Sequence, residues 1–315
     1  MARWGRGGPA RALPSPQVVG TAAAAGAVTV WGFGNALAKY IALTGPTLAF
    51  HRLWLGTAMA YVLARATGRK VDRRALRLAL PGGVALGLNS LLFFSAVKYT
   101  SVTDATLIVT LQPLLILLLV GPAFGERVTR RVGLGAAGAF AGAAFVVLGP
   151  GAHGGHGAKG DLLAVGALVA WTAYFVASKR ARAHLGTIEY QVVVQLVAAV
   201  TVTPVALFFH HHLTGTPSTW GWVLLLATVP GGGHYLVNYA HRYVRLSVTS
   251  LLNLVTPVAA MVAAAVLDHE RITGLQVLGT AVVLSGLAVV LTDPVAQAEQ
   301  DHLTAEPAAD PAADP

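Results

Sequence analysis

Ten stretches of mostly apolar residues follow one another along the chain, separated by short polar gaps. A helix needs roughly 20 residues to cross a bilayer core about 30 Å thick, and each stretch is close to that length. The pattern predicts transmembrane helices near residues 18–38, 45–64, 76–97, 101–122, 132–149, 161–179, 187–209, 219–241, 246–267 and 272–292. We therefore expect an all-α integral membrane protein with ten spans.

Composition agrees with a membrane protein and argues against an ordinary soluble one. Hydrophobic residues make up 55% of the 315 residues, charged residues make up 11%, and the mean hydropathy is +0.64. A soluble domain carries about 25% charged residues. The chain contains no cysteine, which excludes disulfides, thiolate metal sites and cysteine nucleophiles. The spans show no clustered carboxylates and no nucleophile with its base, so we expect neither an enzyme nor a bound cofactor.

The positive charge lies in the gaps between the apolar stretches. Residues 1–292 hold 22 Lys and Arg against seven Asp and Glu, a net charge of +15, and the acidic tail lowers the value for the whole chain to +9. Seventeen of the 22 basic residues lie on one side of the membrane, the side that also holds both termini. The positive-inside rule places that side in the cytoplasm and predicts a multi-pass protein of the plasma (inner) membrane. Because the basic residues sit in membrane loops, we do not expect nucleic acid as a partner.

The two halves of the chain repeat each other. Residues 96–147 align without a gap on residues 240–291, and 13 of the 52 aligned positions are identical. Because each half holds five predicted spans, an odd number, the second half enters the membrane upside down. Inverted repeats of this kind are typical of secondary transporters. The matched pairs include Tyr99/Tyr243, Pro113/Pro257, Glu126/Glu270, Arg127/Arg271, Thr129/Thr273, Gly135/Gly279 and Gly142/Gly286, and a weaker similarity pairs Trp31 with Trp171 and Lys39 with Lys179.

The repeat divides the chain into five segments. The apolar run after the basic lead-in also resembles a signal peptide, but the nine spans that follow favour an uncleaved first helix. The predicted segments are a cytoplasmic basic lead-in (1–17), a first five-helix repeat (18–149), a Gly/His-rich linker (150–160), a second five-helix repeat (161–292) and a disordered acidic tail (293–315).

Each half carries an aliphatic helix with a central proline, followed by a Glu-Arg turn. The turns read Gly-Glu-Arg-Val-Thr at residues 125–129 and His-Glu-Arg-Ile-Thr at residues 269–273. This duplicated motif within ten predicted spans resembles the EamA family of the drug/metabolite transporter superfamily, over roughly residues 20–292. The resemblance implies two inverted five-helix EamA-type repeats around a central cavity. It also implies export of amino acids, related metabolites or toxic organic compounds.

We accordingly expect a secondary transporter that moves small organic solutes across the plasma membrane by alternating access, most simply as an exporter. Its partners are a small-molecule substrate and the lipid bilayer. An uncoupled facilitator, an importer and a membrane protein without transport activity are the alternatives. The sequence is compatible with and without proton coupling, and with a monomer or a homodimer.

Arg52 is the one cation well inside a predicted span, about 10 Å from its outer end at 1.5 Å per residue. An ionisable residue is costly within a membrane, which favours a functional role. Arg52 is expected to attract a carboxylate or phosphate of the substrate, and its neighbour His51 to carry a proton. The alternative is that Arg52 extends to the outer interface and pairs there.

The eighth predicted span presents His234, Asn238 and His241 at positions i, i+4 and i+7, on one helix face. Residues 230–233, Pro-Gly-Gly-Gly, precede them and can break the helix. We expect His234 and Asn238 to line the cavity and to hydrogen-bond the substrate, and His241, near the cytoplasmic end, to be solvated. The alternative is packing through small residues, with the polar side chains bonded across helices.

The two proline-containing helices carry matching polar faces, each within an arc of about 120°. We expect these faces to line the cavity, and the prolines to act as hinges because each frees a carbonyl one turn earlier. The alternative is that the hydroxyls bond back to their own helix. The residues are Thr103, Thr106, Thr110 and hinge Pro113 in the first half, and Ser247, Ser250, Asn253 and hinge Pro257 in the second, with Trp31, Asn35, Asn89 and Ser90 as further candidates.

The paired Glu-Arg turns suggest a gate at each membrane face, but helix capping with an exposed ion pair is the more common role of such residues. A Gly138-x-x-x-Gly142 pair predicts close helix packing. Without a carboxylate at a defined spacing, we expect no metal site among the outer-side histidines His153, His156, His210, His211 and His212.

Overall fold

All regular secondary structure in the described part of the chain is helical. The computed structural model describes residues 15–38, 41–100, 102–147, 157–208, 216–267, 272–295 and 297–298. The helices are α1 (Pro16–Leu37), α2 (Gly45–Ala66), α3 (Arg73–Ala96), α4 (Val102–Thr110), α5 (Gln112–Phe124), α6 (Arg130–Val147), α7 (Ala158–Arg182), α8 (Thr187–Phe208), α9 (Pro217–Tyr243), α10 (Leu246–Leu252), α11 (Thr256–Leu267) and α12 (Gly274–Leu291).

Each predicted span falls on one helix or on one broken pair of helices. Six segments of the described chain are long and apolar enough to cross a bilayer, and the ten-span count therefore stays a prediction. The six are Arg73–Ala96, Ala105–Phe124, Ala158–Arg182, Thr187–Phe208, Leu246–Leu267 and Gly274–Leu291.

Helix starts follow local capping chemistry. The Asp72 carboxylate accepts a hydrogen bond from the Ala75 amide at 2.7 Å and caps α3. Thr273 and Gln276 form a capping box at the start of α12, in which each side chain bonds the other residue's amide. Such bonds satisfy amides that have no partner within the helix.

The two broken helices are related by the repeat. The fourth predicted span divides into α4 and α5 at Leu111, and the ninth divides into α10 and α11 around a 3₁₀ turn, Asn253–Val255. Pro113 and Pro257 lie directly after these breaks. Proline lacks an amide hydrogen and crowds the carbonyl four residues earlier, which explains why the helix is interrupted at this point in both halves.

Helices α6 and α12, the last of each half, cross in antiparallel orientation through reciprocal glycines. A Cβ atom built on Gly135 would lie 2.7 Å from the Gly286 carbonyl oxygen, and one on Gly142 would lie 2.6 Å from that of Gly279. Equivalent helices that run in opposite directions are the arrangement that an inverted repeat requires. Close packing was expected at both Gly138 and Gly142. It is wrong for Gly138, because no atom of another described helix lies within 4 Å of a Cβ built there. The two glycines of α6 that approach α12 are Gly135 and Gly142.

The largest cluster of buried apolar side chains joins α1, α2, α3, α7, α8 and α9, and a second cluster joins α6, α9, α10 and α12. Large apolar side chains also point outward, for example Leu118 at 74% exposure and Phe208 at 79%. A soluble protein rarely exposes apolar surface on this scale, whereas a bilayer covers it.

Candidate functional site

A cavity of about 100 Å³ lies between the two halves. It is lined by residues of α1, α2, α3, α4, α7, α9 and α11 and of the 3₁₀ turn. Trp31 and Asn35 reach it from α1, and Pro230 and His234 from α9, in each case four residues apart on one helix face. The cavity therefore forms where polar faces from both halves meet.

Arg52 on α2 is the charged side chain among the described residues that line the cavity. It is 8% exposed. One terminal nitrogen donates to the Ser90 hydroxyl at 3.4 Å, and the other lies 2.9 Å from Nε2 of His234. A guanidinium only donates hydrogen bonds, so Nε2 of His234 must accept, and the imidazole is neutral with its proton on Nδ1.

A chain of buried hydrogen bonds continues from His234. Its Nδ1 lies 3.3 Å from the Tyr174 hydroxyl, which donates to Oδ1 of Asn238 at 3.2 Å. The Asn238 amide in turn donates to Oε1 of Gln191 at 2.7 Å. Arg52 fixes the tautomer of His234, so in each of these hydrogen bonds the residue nearer to Arg52 is the donor and the next residue is the acceptor.

Aromatic rings form much of the cavity wall. The Trp31 indole donates to the Pro230 carbonyl at 3.0 Å, and its ring lies 5.0 Å from Trp171, edge to face. A Cβ atom on Gly233 would lie 2.7 Å from the Trp31 ring nitrogen. Glycine at this position therefore allows the indole to reach the helix backbone. The side chains Phe93 and Phe94 line the cavity from α3.

Contacts between the two halves bury Glu126 and Arg245 on the side where α7 and α9 end, and we call this the closed side. Glu126, in the turn between α5 and α6, accepts hydrogen bonds from the Leu246 amide at 2.8 Å, the Ser247 amide at 3.1 Å and the Ser247 hydroxyl at 2.6 Å. Its carboxylate also lies 3.5 Å from Nε of Arg245. A residue of the first half thus caps helix α10 of the second half. The expected capping is present, although the capped helix belongs to the other half. An exposed ion pair was expected at the Glu-Arg turn, and the pair that the structure shows for Glu126 is a buried one with Arg245.

Three further basic residues lie in this closed region, where Arg182 and His241 are buried and Lys179 is partly buried. Arg182 bonds the Asn238 carbonyl, the Leu185 carbonyl and the Thr187 hydroxyl. The Lys179 ammonium donates to the Val244 carbonyl at 2.7 Å. His241 packs edge to face on Phe175, and neither ring nitrogen has a hydrogen-bond partner among the described residues. His241 was expected to be solvated near the helix end, and its 1% exposure shows that this was wrong.

The structure brings seven of the ten expected substrate contacts to the cavity wall, together with Asn89 and Ser90. The seven are Trp31, Asn35, Arg52, Thr106, Thr110, His234 and Asn253. Hydroxyl back-bonding also occurs, since Thr110 donates to the Thr106 carbonyl at 2.6 Å.

The other three expected contacts lie elsewhere. His51 packs on Trp220, with ring centroids 4.6 Å apart, because successive helix residues point about 100° away from each other. Asn238 lies behind His234 in the hydrogen-bond chain. Ser250 donates to the Ser247 carbonyl at 2.9 Å, which is the back-bonded alternative. Ser247, expected on the same cavity-lining face, instead donates its hydroxyl to Glu126.

Several expectations fall outside the described residues. They concern Lys39, the side chain of Thr103, the second Glu-Arg turn with Glu270 and Arg271, and the histidines His153, His156, His210, His211 and His212. Within the described ranges, no group of three His, Asp or Glu side chains is placed to hold a metal ion.

Sequence reasoning missed Tyr174, Gln191 and the Phe93/Phe94 wall. The weak repeat pairing of Trp31 with Trp171 was a usable signal, because both rings line the cavity. Tyr174 lies three residues after Trp171 on the same helix, and this spacing could have identified it. Phenylalanines in an apolar span carry no comparable signal.

Comparison with known proteins identifies a matching family and a solved structure with a similar fold. The model of the EamA-like transporter family matches residues 18–148 and 158–292. Over 100 residues, 31% of this chain, the sequence is 30% identical to the pseudopaline exporter CntI of Pseudomonas aeruginosa, in strains UCBPP-PA14 and PAO1. That match spans about a third (35%) of the length of the exporter. A solved crystal structure superposes with a TM-score of 0.73 at 22% identity, over 89% of this chain and 98% of the other, which supports the fold.

Proposed function

The chain belongs to the EamA-like transporter family, and from this premise we propose that it exports small organic solutes across the plasma membrane by alternating access. The membership and the apolar helices make it a multi-pass membrane transporter of small solutes. In this proposal the protein has ten spans in two inverted repeats, both termini lie in the cytoplasm, and transport is outward. The pseudopaline exporter supports the direction, as a relative over a third of the chain.

One observation carries the proposal: the polar cavity lies between the halves, and a separate contact bonds the halves to each other at the closed side. Arg52 of the first half contacts His234 of the second within the cavity. Glu126 of the first half binds the start of α10 in the second half. If the halves rock, the Glu126 contact breaks while the cavity remains central, and this is what alternating access requires.

We propose that the substrate binds against Arg52 and His234, with Asn35, Asn253 and the Thr106/Thr110 face as further contacts. Asn238 acts indirectly, through Tyr174, by holding His234 in its tautomer. Pro113 and Pro257 are proposed as hinges, since each follows a helix break at equivalent positions of the two halves.

The experiment compares the small metabolites in the medium of cells that overproduce the intact protein, its Arg52→Ala variant, an Arg74→Ala control or no transporter. Arg74 is exposed at the start of α3, away from the cavity. We expect a solute that accumulates outside with the intact protein and the control, but not with Arg52→Ala. Equal media from cells with and without the protein, together with no flux through purified protein in liposomes, would contradict export.

The same liposomes test the two remaining proposals. Proton coupling predicts that an imposed pH gradient drives solute flux, whereas an uncoupled facilitator responds only to the solute gradient. Homodimerisation predicts a particle of twice the protein mass after reconstitution and extraction. Neither result depends on the identity of the solute that is found.

A further inference from the structure

The charge on the described cavity wall is positive only. Arg52 carries a buried positive charge, and no Asp or Glu of the described residues lines the cavity. His234 is neutral because it accepts a hydrogen bond from Arg52. The remaining polar groups on the wall are amides and hydroxyls. An unpaired buried cation is unfavourable, and an anion placed against it offsets that cost.

Arg52 also has unused hydrogen-bonding capacity. A guanidinium carries five N–H donors. Its described hydrogen bonds reach only Ser90 and His234, and its Nε has no partner although the residue is buried. A carboxylate matches this fork of donors and can accept two parallel hydrogen bonds from it.

The closed side of the molecule has the same sign of charge. The basic groups there include the partly buried Lys179 and the buried Arg182 and Arg245, and the buried carboxylate among them belongs to Glu126. That carboxylate already accepts three hydrogen bonds at the start of α10 and pairs with Arg245. When this contact breaks, the single carboxylate still lies among three cations, so the net charge that a passing ammonium group meets is positive.

The aromatic walls of the cavity favour a substrate with an apolar body. Trp31 and Trp171 form one wall, and Phe93 and Phe94 contribute another. The guanidinium carbon of Arg52 lies 5.8 Å from the centre of the Phe94 ring. A flat or aromatic body packs well between such rings, with an acidic end directed to Arg52.

We propose that this transporter selects solutes that carry a net negative charge on a flat apolar body, of which arylcarboxylates are the simplest class. Zwitterionic and cationic solutes of the same shape are rejected, because their ammonium group meets no carboxylate among the described cavity residues. The inference rests on the proposed transport function and narrows its substrate class.

The test uses four compounds with the same phenylethyl body and different charge. These are 3-phenylpropionate (anion), 3-phenylpropanamide (neutral), phenylalanine (zwitterion) and 2-phenylethylamine (cation). Purified full-length protein is reconstituted in liposomes, and the entry of each labelled compound and the quenching of tryptophan fluorescence are measured. We expect 3-phenylpropionate to be carried and bound at least about tenfold better than the other three, the difference made by one charge-assisted contact.

Two variants test whether Arg52 causes the preference for the anion. Arg52→Gln should reduce the preference to about twofold or less, because the anion loses its partner. Lys98→Gln, which removes an exposed cation whose ammonium donates to the Ile41 carbonyl outside the cavity, should keep the preference. Thermal unfolding of both proteins verifies that they are folded.

The outcomes separate this inference from the transport function. If phenylalanine or the amide moves as fast as 3-phenylpropionate, charge selection is wrong, while transport stands. Retained preference in Arg52→Gln overturns the role of Arg52. If none of the four compounds binds or moves, the inference fails, and the metabolite profile of the overproducing cells decides separately whether the protein exports another class of solute.

Discussion

A single glycine controls the position of the indole that forms the cavity wall. Trp31 donates to the Pro230 carbonyl on α9, and Gly233 lies one turn further along the same helix. A methyl group at Gly233 would lie 2.7 Å from the Trp31 ring nitrogen and 3.2 Å from the Ala27 carbonyl oxygen. The side chain on α1 and the backbone of α9 therefore approach as closely as they do only because position 233 has no side chain.

Gly233→Ala should lower the free energy of unfolding by about 1–3 kcal/mol, the usual cost of an extra methyl group in a packed interior, and should impair transport. Gly232→Ala is the matched control, because no atom lies within 4 Å of its built Cβ. Thermal unfolding in detergent and solute flux measure the two effects. Equal stability of the two variants would show that the Trp31 contact does not constrain the cavity.

The residues of the site were predictable from helical spacing or, for Arg52, from a charge within an apolar span, but their contacts across helices were not. Trp31 with Asn35, and Thr106 with Thr110, were identified because a spacing of four places side chains on one face. The contact between Arg52 and His234 joins residues 182 positions apart, and no periodicity connects them. For the same reason, His51 was assigned to the site as a neighbour of Arg52, although adjacent helix residues point in different directions.

At the level of helices, the short helix α10 is anchored by a residue of the other half. Glu126 accepts the amides of Leu246 and Ser247 at the start of α10, where helix amides have no internal partner. A negative charge is favoured at this end of a helix. The closed side is thus held by a contact that can break without unfolding either half.

Glu126→Gln should favour opening of this side, because the neutral amide loses the Arg245 pair and offers one acceptor atom where the carboxylate offers two. The chain has no native cysteine, so a single Ser250→Cys reporter on α10 can be labelled directly. We expect Glu126→Gln to raise the labelling rate about tenfold, which corresponds to about 1.4 kcal/mol.

The control for this variant is Glu189→Gln. Glu189 accepts the Gly186 amide at 3.4 Å within its own segment and does not connect the halves. Labelling of Ser250→Cys should stay unchanged in this background. An unchanged rate in Glu126→Gln, or an equal rise in both variants, would rule out Glu126 as the closing contact.

At the crossing of α6 and α12, the backbones of the two helices are in close contact. A methyl group on Gly142 would lie 2.6 Å from both the Gly279 carbonyl oxygen and the Val283 amide nitrogen. These atoms belong to the backbone and cannot rotate away, so Gly142→Ala should destabilise the protein by about 1–3 kcal/mol. Gly138→Ala, with nothing within 4 Å, should leave the thermal unfolding midpoint unchanged or slightly higher. Similar losses in both variants would contradict the close crossing.

For the whole molecule, the repeat and the number of apolar stretches predicted the architecture together. The alignment of residues 96–147 on 240–291 relates the halves, and the odd number of predicted spans in each half predicted inversion, with which the antiparallel α6 and α12 agree. Hydropathy identifies six segments as apolar enough to span a membrane. The others, such as α1 and α9, contribute glycines and polar residues to helix contacts and to the cavity, and this lowers their hydropathy.

The distribution of basic residues makes a last prediction about orientation. Cytoplasmic termini place the α2–α3 turn inside and the start of α9 outside. Lys70→Cys and Ser218→Cys, both at exposed positions, report on these two sites in a chain with no other cysteine. In intact cells, an impermeant maleimide should label Ser218→Cys, and it should label Lys70→Cys only after the membrane is opened. The reverse pattern would place the Glu126 closure on the outer face, and solutes would then have access to the Arg52 cavity from the cytoplasm.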